Sequence, residues 1–123
     1  MTYIDGFVFA VPAENKEKFV EAAQHFDSLL IDNGALRVVE CWADNVPHGK
    51  QTDFYRAVAA KEGEEIAFSW VEWPDRETRD AVHARMEEIM GSGDTAFGPD
   101  AMPFDGARMI FGGFTPVLEL GGK

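Results

Sequence analysis

Few residues in this sequence have the type and setting to do chemistry, and Glu40 comes first. It sits in "LRVVECW", residues 36–42, with apolar neighbours on both sides. Strand alternation puts it on the same face as Leu36, Val38 and Trp42. An ionised carboxylate buried there without a partner would cost several kcal/mol. Glu40 therefore requires a cation or a hydrogen-bond donor, or it keeps its proton with a raised pKa and serves as an acid or base. Arg56 and Arg108, on other strand-like segments, are the candidate partners. Trp42, Trp70 and Trp73, with Phe7, Phe9, Phe68 and Phe111, are aromatic enough to wall a pocket, although such side chains more often fill a core. The ligand-binding candidates are thus Glu40, Trp42, Arg56, Trp70 and Arg108, with Glu40 the catalytic candidate.

Other chemistries fail on spacing. His25, His48 and His83 lie far apart, and no pair has metal-ligand spacing. Cys41 has no CxxC partner and reads as an inert thiol in a strand. The glycines of "GSGDTAFG", residues 91–98, follow a helix instead of opening one, so they read as a cap and a loop, not a phosphate cradle. No metal and no cofactor are expected.

Charge narrows the partners. Eleven Lys and Arg stand against 22 Asp and Glu, a net charge of −11, and the basic residues are scattered. Nucleic-acid binding needs clustered cations to neutralise phosphates, so no such partner is expected. No apolar run approaches the roughly 18 residues that span a bilayer. The opening "MTYIDGFVFAVP" lacks a basic leader. A cytoplasmic setting is expected, away from membranes, and the length of 123 residues fits one domain over 1–123.

The elements that must position these residues follow from periodicity. Tyr3 to Val11 alternates as a strand ending at Pro12. A helix then begins after Asn15, its apolar stripe Phe19, Ala22, Ala23, Phe26, Leu29 and Leu30, and Asn33-Gly34 ends it. Residues 35–44 give a second strand, 52–60 a short strand-like segment, and 64–73 a longer strand. Asp75 caps a second helix lined by Val82, Met86, Ile89 and Met90. The last strand lies in "PFDGARMIFGGFTPV", residues 103–117, where Gly112-Gly113 marks a bulge or a close approach.

This order is a ferredoxin-like α+β fold, βαββαβ, with an extra strand-like segment at 52–60 that should leave the main sheet. Both helices cover one face. The other face is expected to carry Tyr3, Asp5, Phe7 and Phe9 together with Ile66, Phe68, Trp70 and Glu72. So much aromatic surface calls for cover, and a second copy is the natural one.

"DGFV", "GALRVVECWAD", "FSWVEWP" and "MPFDGARMIFGGF" together resemble the bacterial YbaA-like family, a domain of unknown function in the dimeric α/β-barrel superfamily. The resemblance implies two subunits whose sheets join as a barrel around a cavity. Superfamily relatives include cofactor-independent monooxygenases, haem-degrading enzymes and lactone isomerases. It carries no established catalytic residues. The leading reading is a protein that binds a small apolar or aromatic compound in the barrel cavity, with a cofactor-independent, monooxygenase- or isomerase-like reaction left open. The alternatives are a non-catalytic binding or regulatory module and a protein-interaction homodimer with a filled barrel.

Overall fold

The computed structural model describes residues 2–91 and 103–121. Its strands form one antiparallel sheet in the order β2-β3-β1-β4. β1 (Tyr3–Pro12) and β3 (Glu64–Trp73) pair along ten residues at the centre. β2 (Arg37–Trp42) is one edge, and β4 (Ile110–Phe114) is the other. α1 (Lys16–Asp32) follows β1, and α3 (Arg76–Gly91) follows β3. The architecture is ferredoxin-like α+β with an open four-stranded sheet. Among the described residues, no helix is long and apolar enough to cross a membrane.

Local chemistry explains the boundaries. Asn33 closes α1, and Gly34 takes the left-handed turn at φ +123° that glycine adopts without a Cβ penalty. Asn15 stands ahead of α1, but its side chain donates to the Pro103 carbonyl at 2.9 Å instead of capping the helix. α3 starts behind Asp75, whose carboxylate accepts from the Thr78 N–H at 2.7 Å. The Val82 and Met86 side chains of its stripe are buried as expected. Those of Ile89 and Met90 lie outside the described residues, as does all but the first residue of the 91–98 loop.

The helices pack on the odd-numbered residues of β1 and β3. Leu30, Val71, Trp73, Val82 and Met86 make one buried cluster; Phe9, Val11, Phe19 and Ala67 make the next. This corrects one expectation. The register pairs Phe7 with Ser69 and Gly6 with Trp70, so Tyr3, Asp5, Phe7 and Phe9 do not share a face with Phe68 and Trp70. They point to the helices, and it is Ile4, Gly6 and Val8 that join Phe68 and Trp70 on the open face.

Two further expectations change. Residues 52–60 hold no strand but a one-turn helix, α2 (Phe54–Ala57). Asp53 caps it, accepting from the Arg56 N–H at 2.8 Å, and Ala59 turns the chain back at φ 50°. Local hydrogen bonding by Asp53 outweighs the apolar alternation that suggested a strand. The last strand is also short. Asp105 folds Gly106–Arg108 into a 3₁₀ turn by accepting from the Ala107 N–H, so β4 begins only at Ile110.

Candidate ligand-binding face

Among the described residues, the sheet face opposite the helices is covered at one end only. There Val58 buries Ala10 and Ile66, with Val46 and Tyr55 packed around them. Over the rest of the face the structure leaves an apolar concavity of about 690 Å³. Ile4 and Val8 of β1, Phe68 and Trp70 of β3, and Ile110 and Phe114 of β4 line it. Gly6 and Gly112 face each other across the β1–β4 ladder and keep its floor low, with the Phe114 ring lying over both. Gly113 has a different reason to lack a side chain. A Cβ there would come within 2.7 Å of the Tyr3 ring, so the close approach is made by β1 itself.

Of the five residues singled out from sequence, Trp70 alone lines this concavity. Its indole N–H donates to Glu72 at 2.9 Å, and Glu72 lies 3.7 Å from Arg37. Trp42 faces the helices, tilted against Phe19 with the Lys16 ammonium over its ring. Arg56 donates to the Gly49 and Lys50 carbonyls of its own loop. Arg108 makes a two-pronged bond to Glu64 at 2.8 and 2.7 Å, and also binds Asp105 and the Ala59 carbonyl. It fastens the 3₁₀ turn to the start of β3, and it holds the Glu64 carboxyl down to about 2.

Glu40 meets neither arginine. It projects from the β2 edge toward α1, where it hydrogen-bonds with Asp27 and Ser69. Glu40 is exposed at the β2 edge, which corrects the expected burial. Desolvation of its carboxyl beside α1, then the Asp27 carboxyl, push it up to about 9, and Asp27 is raised as well, by desolvation. The two act as one acid pair holding a proton between them. Asp27 was legible in principle, because at three and four residues from Leu30 and Ala23 it interrupts the apolar stripe of α1.

The model of a protein family described as "Protein of unknown function (DUF1428)" matches residues 2–106. The uncharacterized protein YbaA of Escherichia coli K12 is 50% identical over 119 residues, covering 97% of this chain and 99% of YbaA. The YbaA of Shigella flexneri matches to the same extent. The chain belongs to the DUF1428 family. Among solved structures, a dimeric ferredoxin-like protein from an uncultured marine organism superposes with a TM-score of 0.62. It is 14% identical and is covered over 98% of its length, with 97% of this chain, which bears on the fold alone.

This DUF1428 chain also buries an ionic cluster apart from the five candidate residues. Asp5, fully buried, accepts from the Trp73 indole at 2.9 Å and from Arg79 at 3.0 to 3.2 Å. His83 Nε2 lies 3.0 Å from the same carboxylate, and Arg79 stacks 5.4 Å from the Tyr3 ring. Burial pulls the Asp5 carboxyl up, but hydrogen bonds from His83, Arg79 and Trp73 outweigh it and leave the group below its usual range. The cluster ties α3 to β1 and β3. Its signal was an acid in the alternating set Tyr3, Asp5, Phe7, Phe9, matched by Arg79 and His83 on the Val82–Met86 stripe.

Proposed function

We propose that the protein is a homodimer whose open sheet faces close on one another as a barrel, and that the enclosed space binds a small apolar or aromatic compound. The observation that carries this reading is the concavity itself. In the single copy it is an open hollow of about 690 Å³ lined by apolar side chains, which a covering copy would turn into an enclosed apolar space. A monomer rarely leaves such a surface in water. The assembly of the ferredoxin-like neighbour, which is described as dimeric, supports a second copy as the cover. A soluble cytoplasmic protein with no nucleic-acid or membrane partner fits the net charge of −11. Binding is preferred to catalysis because Glu40, the group with a proton to move, lies on the opposite face of β2 from the concavity.

Titration with 1-N-phenylnaphthylamine, a dye that brightens in dry apolar sites, tests this reading. A dimer by native mass spectrometry that takes up the dye saturably, with Trp70 quenched, is the expected result. The Trp70→Ala variant should bind the dye at least fivefold more weakly. A dimer that takes up no dye would favour a filled barrel that serves protein interaction. A monomer would end the reading altogether.

A further inference from the structure

Beyond β4 the chain leaves the sheet as the segment "TPVLELG", residues 115–121. Thr115 and Pro116 still stand at the rim of the concavity. After them the side chains meet almost nothing among the described residues: Val117 is 97% exposed, Leu118 74% and Leu120 82%. The one described hydrogen bond of the segment is Thr2 Oγ to Glu119 at 3.3 Å, on the surface. Three large aliphatic residues within four positions are thus in water, next to an apolar face that is also in water.

We propose that this segment is an exchanged arm, crossing to a second copy of the chain and laying its aliphatic side chains along the rim of that copy's open face, beside the enclosed space. The inference rests on the homodimer reading above and names the part of the chain that completes the interface. Reach permits it. Seven residues extend to about 23 Å, whereas a four-stranded sheet is only about 14 Å wide between its outer strands. The arm adds apolar surface beside the open face, in Val117, Leu118 and Leu120. Folding back on its own sheet would bury Val117, and that residue is the most exposed of the three.

Sedimentation equilibrium on the full chain and on a chain ending at Pro116 tests the arm. The full chain should dimerise, and the shortened chain should dimerise at least tenfold more weakly with an unchanged circular dichroism spectrum. Equal dimerisation by both would overturn the arm and leave the dimer standing. A monomeric full chain would overturn both. Because the shortened chain could fail to fold, a second measurement uses the intact length. A benzophenone amino acid replaces Leu118 in a mixture of ¹⁴N- and ¹⁵N-labelled protein. Cross-links joining the two isotopes, landing on peptides that border the open face, are expected; cross-links within one isotope alone would overturn the exchange.

Discussion

At the scale of single residues, the sequence exposed a conflict at Glu40 without showing how it was resolved. A carboxylate among apolar neighbours had to find a cation or keep its proton, and the structure chooses the proton. Desolvation of the carboxyl favours the protonated form first, and Asp27, brought over by α1, adds to it, since two carboxylates in contact repel when both ionise. The consequence for stability has a definite sign. Glu40 titrates near 4.5 in the unfolded chain and about 9 in the fold, so between those values the folded state holds the extra proton. Stability from this group is therefore greatest below pH 4.5 and falls as pH rises toward 9. Glu40→Gln keeps the hydrogen-bonding shape without the proton to lose. Thermal unfolding should show wild type losing Tm between pH 5 and 9 relative to the variant. The difference should be only a few degrees, because solvent at the exposed β2 edge screens much of the effect. Parallel Tm curves for the two proteins would mean that Asp27 and Glu40 do not share a proton.

At the scale of elements, the two long helices and the long central strands were legible because each repeats one pattern over many residues. α1 and α3 carry stripes of period 3.6, and β3 appears at the residues where alternation placed it, 64–73. The misreadings fall where one polar side chain overrides a short pattern. Asp53 turned an apparent strand into α2, and Asp105 turned the front of the last strand into a 3₁₀ turn. The sheet face of β1 was misassigned for another reason: alternation gives two sets of residues, and only the pairing register decides which meets the helices. Arg108 shows how the short elements are then held. Its guanidinium joins the 3₁₀ turn to Glu64 at the start of β3, with the Ala59 carbonyl as a third anchor. Glu64, held down to about 2, contributes stability that is complete above pH 4.5 and disappears as pH falls through 2. Arg108→Gln should accordingly lower the Tm by several degrees at pH 7, and the gap should close in acid. A gap that persisted unchanged at pH 2 would point to lost packing instead of the ion pair.

For the whole molecule, two terms of opposite sign decide whether copies associate. Each copy carries −11, so like charge opposes association at long range. The open face offers Ile4, Val8, Phe68, Trp70, Ile110 and Phe114, whose burial is worth ~25 cal/mol per Å² and does not depend on sign. Which term governs can be read from salt. Screening shortens the Debye length from ~30 Å at 0.01 M to ~3 Å at 1 M, removing most of the repulsion between surface charges. It leaves apolar burial intact. An interface built on the open face should tighten at least threefold over that range, measured as the dimer dissociation constant by sedimentation. An interface held by exposed ion pairs, such as one through Arg37 at the β2 edge, should loosen over the same range wherever the screened local attraction exceeds the screened long-range repulsion. The direction of the salt effect therefore tests which surface of this acidic chain meets its copy, independently of any ligand.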